Sequence, residues 1–170
     1  RPTRNGWRGT QTAGLSVGGF TTDEVATTEE YNGTTWGAGG DLGTAVGRNG
    51  GCGTLTAGLS FGGRNVSDVV TGVSEEYDGT TWAAGGTLNT AREFLGGCGT
   101  QTAGLSSGGH SGVFSAVSEE YNGTSWTAGN SLGTARTQAS GAGTQTSGLI
   151  IGGLAGDPAA ELASTEEYDG

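Results

Sequence analysis

The sequence has no methionine and no lysine, one histidine, two prolines and two cysteines among its 170 residues. Two cysteines cannot staple a disulfide-dense scaffold. A single histidine, His110, cannot supply a multi-histidine metal site, and the numerous serines give it no defined partner for a Ser-His-Asp set. The longest apolar run, Gly148 to Gly152, is far too short for a bilayer-spanning helix, so membrane insertion is not expected. Basic charge is also scarce. Seven arginines stand against 17 carboxylates, a net charge of −10, and a chain this acidic repels phosphate backbones, which argues against nucleic acid as a partner. No apolar stripe of helical period persists through a full turn, so essentially no helix is expected.

Glycine is abundant, with 38 copies. Collagen and low-complexity disorder are excluded because the glycines follow no triplet rule and recur at matched places beside Trp, Tyr and Leu. Gly-Gly pairs fall at Gly18, Gly62, Gly108 and Gly152, spaced 44, 46 and 44 residues. Tyr31, Tyr77, Tyr121 and Tyr168 are spaced 46, 44 and 47, and Trp36, Trp82 and Trp126 are spaced 46 and 44. Four units of about 45 residues match the length of a four-stranded propeller blade. Their approximate bounds are 1–46, 47–92, 93–136 and 137–170, one repeat region.

Within a unit, short strands alternate with turn signals. In the third, strands are expected over 94–99, 104–108, 116–121 and 124–128, and 129–136 crosses to the next unit. The near-copied octapeptide EEYNGTTW, from Glu29 to Trp36, reads as a hairpin. Asn-Gly and Asp-Gly are the favoured pairs of a two-residue type I′ turn, because both central residues need positive φ. The flanking tyrosines and tryptophans supply large packing surfaces. The fourth unit reaches EEYDG without its tryptophan, so the last blade is incomplete. Neither end has the modified unit that normally caps a repeat array, and the chain is expected to be part of a longer one. A compact four-bladed ring would instead take its missing strand from another chain or from residues 1–8.

Gly58-Leu59-Ser60-Phe61-Gly62-Gly63, then Tyr77-Asp78, then Trp82 resembles the order of a kelch repeat. Thr90-Ala91-Arg92 stands where such units often carry a basic residue before the next blade. The resemblance covers nearly the whole chain. It implies an all-β fold, a β-propeller of four-stranded antiparallel blades. The Tyr-to-Trp spacing is shorter than usual, and a glutamate precedes each tyrosine where kelch units often carry an apolar residue. A looser resemblance is to Thr- and Gly-rich repeats of environmental phage tail-fibre and structural proteins. The Asp-box of sialidases is not matched, because Asp78 precedes Trp82 by one residue too few.

Two readings apply to the glutamate pairs. Repeated carboxylates could offer oxygen ligands to Ca²⁺. Alternatively they form a solvated outer strand, partly paired with Arg92 and Arg136, that discourages edge aggregation. Cys52 and Cys98 hold equivalent places, filled by Arg8 and Ala142 elsewhere, and read as free thiols on inner strands, with a disulfide between neighbouring blades as the alternative. Asn32, Asn65 and Asn122 lie in glycosylation sequons, two of them created by the hairpin turn itself.

After each Gly-Gly pair the units diverge. Phe20, Asp23, Arg64, Asp68, His110, Phe114 and Asp157 lie in these variable loops and are the candidate binding residues. A rigid scaffold with variable loops on one face is a common binding design. The expected function is a non-enzymatic structural or binding module, extracellular or virion-associated, that takes a protein or glycan ligand. One alternative is a self-assembling filament subunit that completes its open blade by strand exchange with copies of itself. Another is a propeller domain of a hydrolase or lyase, which would need unlike polar residues gathered in one place.

Overall fold

A computed structural model describes residues 6–170, with side chains from residue 9 onward. The described residues form strands and turns and no helix, so none is long and apolar enough to cross a membrane. The first blade is β1 (Gly6–Thr10), β2 (Ala13–Val17), β3 (Thr28–Tyr31) and β4 (Trp36–Ala38). Then come β5 (Val46–Gly47), β6 (Gly50–Thr54), β7 (Ala57–Phe61), β8 (Arg64–Asn65), β9 (Ser74–Tyr77) and β10 (Trp82–Ala84). The second blade is β6-β7-β9-β10, and β5 and β8 pair as a separate ladder. The third is β11 (Gly96–Thr100), β12 (Ala103–Ser107), β13 (Ser118–Tyr121) and β14 (Trp126–Ala128). The fourth holds β15 (Ser140–Thr144), β16 (Ser147–Ile151) and β19 (Thr165–Tyr168), with β17 (Leu154–Ala155) and β18 (Ala160–Glu161) paired in its loop.

Every pairing is antiparallel and each blade keeps sequence order in space. The four sheets succeed one another as blades of a β-propeller, the last with three strands. Residues 6–8 belong to the inner strand of the first blade, so they complete no other sheet; residues 1–5 lie outside the described residues.

The inner strands β1, β6, β11 and β15 approach so closely that glycine is required. A Cβ on Gly97 would lie 2.8 Å from the Gly51 carbonyl oxygen, and one on Gly141 would lie 2.5 Å from that of Gly97. The apolar core is correspondingly divided into three slabs, one at each blade boundary. Leu15, Val17 and Leu42 meet Tyr77; Leu59, Phe61 and Leu88 meet Tyr121; Leu105 and Leu132 meet Tyr168. Alternation along each strand explains this. In the second strand, Leu faces the following blade and the preceding Gly faces the previous one. Leu15, Leu59 and Leu105 thereby sit over Gly58, Gly104 and Gly148, where a Cβ would lie 2.9, 2.9 and 3.2 Å from a leucine Cδ2.

Several expected details are corrected. The strands of the third unit begin one or two residues from the expected starts; the first two also end one residue away, while the last two end as expected at Tyr121 and Ala128. The Tyr-to-Trp hairpin is no two-residue type I′ turn. Tyr31 pairs directly with Trp36, leaving a four-residue loop in which only Gly33 has positive φ. The Asn32 side-chain oxygen accepts hydrogen bonds from the backbone N–H groups of Thr34 and Thr35, both at 3.0 Å. Asp78 and Asn122 do the same, which is why Asn and Asp interchange there.

Candidate functional site

The residues most repeated in sequence serve the blade boundaries. The two glutamates of each pair point opposite ways. In the second, third and fourth blades the first is turned toward the crossing segment that enters its blade. Glu75 accepts the N–H groups of Gly43 and Thr44 at 2.7 and 2.9 Å. Glu119 accepts those of Asn89 and Thr90, and Glu166 those of Gly133 and Thr134. Arg92 and Arg136, both fully buried, pair with Glu119 and Glu166. Arg92 also donates to Ser106 Oγ and to the carbonyls of Gly108 and Val117, so with Glu119 one guanidinium ties the crossing segment to β12, to β13 and to the loop ends between them. Burial pushes the Arg92 pKa down, and the Glu119 carboxylate opposes that shift.

The second glutamate faces the next blade and accepts a tyrosine hydroxyl. Tyr77 donates to Glu30 at 2.5 Å, Tyr121 to Glu76 at 2.6 Å and Tyr168 to Glu120 at 2.5 Å. Burial first, and the adjacent carboxylate second, push all three phenols up to about 12. The solvated outer strand is therefore corrected: β9 and β13 are third strands, and Glu75 and Glu119 are buried because the crossing segments lie on them. Adjacent carboxylates diverge, and among the described residues no group of three or more His, Cys, Asp or Glu side chains converges on one point.

Tyr31, Tyr77 and Tyr121 each stack on the tryptophan of their own hairpin, with centroids 4.9 to 5.1 Å apart. Trp82 and Trp126 donate through Nε1 to Thr28 and Ser74 of the previous blade, both at 2.9 Å. Cys52 and Cys98 are buried and form no disulfide with each other, and their thiols donate to the carbonyls of Thr100 and Thr144. Arg8, their counterpart in the first unit, lies outside the described side chains. Asn32 and Asn122 are exposed at their hairpins, whereas Asn65 is half-buried and its side-chain oxygen accepts from Ser67 and Val69.

The variable loops are where unlike residues gather. His110 and Phe114 of the third blade's loop pack edge to face at 5.8 Å, and with Asp157 of the fourth blade's loop they line one cleft of about 470 Å³. Val113, 70% exposed, lies on its rim. Three of the seven loop residues singled out by sequence thus share a site. Arg64 and Asp68 pair with each other at 2.7 Å. Arg64 also reaches Glu93 of the next blade, whose backbone bridges to His110. Phe20 and Asp23 of the first loop do not join this group; Phe20 is bridged to Glu24, and the Asp23 carboxylate accepts the Glu24 N–H.

Sequence reading missed Arg48, Glu93, Phe94 and Gln138. Glu93 is buried between Arg48 and Arg64, at 3.0 and 2.8 Å. Burial would raise its pKa, but hydrogen bonds from Arg64 and then Arg48 outweigh that and hold it below the ordinary carboxylate value. Arg48, Phe94 and Gln138 occupy one repeat position and share φ of 60°, 56° and 57°. Such left-handed non-glycine residues cost on the order of 1 kcal/mol each and concentrate at functional sites. Their backbones are linked, Phe94 N–H to Arg48 O and Gln138 N–H to Phe94 O, and the Arg48 guanidinium lies over the Phe94 ring at 5.4 Å. The sequence signal was available: one position in a near-copied frame holds Arg, Phe and Gln. No protein-family model matches this chain, and no curated protein is significantly similar to it.

Proposed function

We propose that the protein is a non-enzymatic binding module that presents its variable loops on one face of a kelch-like propeller. The observation that carries this reading is the meeting of His110, Phe114 and Asp157 in one cleft between two blades. The repeated Glu, Tyr, Trp and Arg side chains are engaged in joining blades, whereas His110, Phe114 and Asp157, which have no counterpart in the other units, face this cleft. The loops all connect second to third strands, and the first three are hydrogen-bonded to the crossing segment next to them, through Gly19, Gly63 and Gly109. An aromatic ring, an imidazole and one carboxylate beside exposed Val113 suit a peptide or glycan segment, which can offer apolar C–H surface and donors together. The net charge of −10 favours a neutral or basic ligand. The resemblance to kelch and phage tail-fibre repeats supports an extracellular or virion location.

The test is binding to arrayed oligosaccharides and peptides, with any hit titrated by calorimetry. Phe114→Ala is expected to weaken binding at least about tenfold, the loss of one buried aromatic contact. Thr124→Ala, in the loop between β13 and β14, should leave it unchanged. A ligand indifferent to both Phe114→Ala and Asp157→Asn would refute this site.

A further inference from the structure

The cleft between the third and fourth blades carries two polar side chains. His110 stands on the wall formed by the third blade's loop, and Asp157 on the wall formed by the fourth blade's loop. The rest of the lining is Val113, Phe114, two alanines and two glycines. A ligand held here therefore meets apolar side chains everywhere except at one imidazole and one carboxylate.

The loop decides which nitrogen His110 offers. Its Nδ1 accepts the backbone N–H of Gly112 at 3.4 Å. The turn that brings this N–H round holds Gly112 at φ of 102°, a conformation that suits glycine. A nitrogen that accepts carries no proton, so the neutral ring keeps its hydrogen on Nε2. The Glu93 carboxylate lies 3.9 Å from Nδ1, beyond hydrogen-bond reach, and is held by Arg48 and Arg64. Nε2 has no partner among the described residues, and the imidazole is 32% exposed. Asp157 is exposed, and its carboxylate also makes no hydrogen bond among the described residues. The cleft thus presents one N–H donor on one wall and a group that only accepts on the other.

We infer that the cleft takes a secondary amide, whose carbonyl oxygen accepts from His110 Nε2 and whose N–H donates to Asp157. A trans amide points these two groups in opposite directions, which matches a donor and an acceptor on opposing walls. A carboxylate would meet Asp157 with like charge, an ester has no hydrogen to give it, and an ammonium has no lone pair for Nε2–H. Carbon groups flanking the amide lie against Phe114 and Val113. The unit is neutral, in keeping with a chain of net charge −10. A peptide backbone and the N-acetyl group of an amino sugar both carry it. The inference rests on the cleft reading above and narrows its ligand class.

Nitrogen NMR of the chain's one histidine tests the donor directly. At about pH 8, above the range in which free histidine titrates, the proton should sit on Nε2. A proton on Nδ1 overturns the inference. N-acetylalanine methyl ester and N-acetylglucosamine are then titrated to high millimolar concentration. At least one should shift Nε2 and the Val113 and Asp157 backbone resonances, and the tighter of the two names the source. Replacing the amide N–H of that probe by an ester oxygen should weaken it at least about tenfold, because Asp157 loses its donor. In Asp157→Ala the amide and the ester should bind alike. The substitution lies in an exposed loop, and unchanged circular dichroism would confirm that the variant folds. No shift at the cleft with either probe overturns the inference, as does an ester that binds as tightly as the amide, or a preference that survives Asp157→Ala. An arrayed ligand that needs Phe114 but carries no amide also overturns it and leaves the cleft reading standing, whereas ligands indifferent to both Phe114→Ala and Asp157→Asn overturn both.

Discussion

Tyr121 of the third blade donates its phenolic hydrogen to Glu76 of the second at 2.6 Å, and the same oxygen accepts the Gly86 N–H at 3.2 Å. One hydroxyl thus fixes a strand of the earlier blade and the segment that leaves it. Hydrogen bonds to charged groups contribute about 1.5–3 kcal/mol each, more than neutral ones. Tyr121→Phe should lower stability by that amount in urea unfolding. Tyr31→Phe removes the same atom where the described residues give it no partner, and should cost under about 0.5 kcal/mol. Equal losses would show that the hydroxyl bond is not what matters.

The second blade solves the problem of Arg92 differently. Val46 stands where Arg92 stands one unit later, and Asn49 donates to Ser60 at 2.8 Å, where Arg92 reaches Ser106 at 3.2 Å. Arg92→Val should therefore cost about 3 kcal/mol, the low end for breaking a buried pair. Leu95→Asn, at the position of Asn49, should destabilise the wild type but recover about 1 kcal/mol in the Arg92→Val background, where its amide can reach Ser106. Simple additivity in the four-variant cycle would reject this account.

Gly104 has ordinary backbone angles, so its requirement is steric. A Cβ there would lie 2.9 Å from Leu59 Cδ2 and 3.1 Å from Cys52 Sγ. Gly104→Ala should cost about 1–3 kcal/mol by overpacking, and Leu59→Val should partly relieve it. A Cβ on Gly37 meets nothing within 4 Å. Gly37→Ala should be neutral or slightly stabilising, because the unfolded chain loses freedom and nothing clashes.

The pH dependence follows from the phenols and two carboxyls. Tyr77, Tyr121 and Tyr168 are pushed from 10.0 up to about 12 in the folded chain. Between those values the folded state holds protons that the unfolded chain releases, so their contribution is complete below about pH 10 and is lost as pH rises toward 12. Glu93 and Glu166 are depressed, so their contribution is complete above the ordinary carboxylate range and is lost as pH falls below that range through their lower folded values. Melting temperature against pH should show a plateau between these limits. In a Tyr31→Phe background, which leaves only these three phenols, phenolate absorbance should rise in step with alkaline unfolding, and phenolate appearing before any loss of structure would contradict the raised values.

The repeat length, the all-β class, the four-stranded blade and the incomplete fourth blade were legible in the sequence. Glycine pairs, tyrosines and tryptophans at a fixed period report one unit, and turn residues mark its strands. The hairpin was placed correctly but its turn was not. Asn32 and Gly33 carry the composition of a two-residue loop, while the pairing of Tyr31 with Trp36 fixes four residues. His110, Phe114 and Asp157 were found because they break the repeat. Arg48, Phe94 and Gln138 break it equally, but they lie next to a strand, where variation reads as packing.

By itself, the sequence determined what each unit becomes, because alternation, turn chemistry and glycine spacing act over a few residues. Only the tertiary structure decided where each side chain of the unit is used. Glu75 and Glu76 are neighbours in sequence and identical in chemistry. One clasps Gly43 and Thr44 behind it, the other takes Tyr121 in front, because a strand turns successive side chains to opposite faces and each face meets a different blade. The same reason leaves Leu149 exposed while Leu59 and Leu105 are sealed: the residue and its local frame are alike, and the difference is whether another blade lies over it.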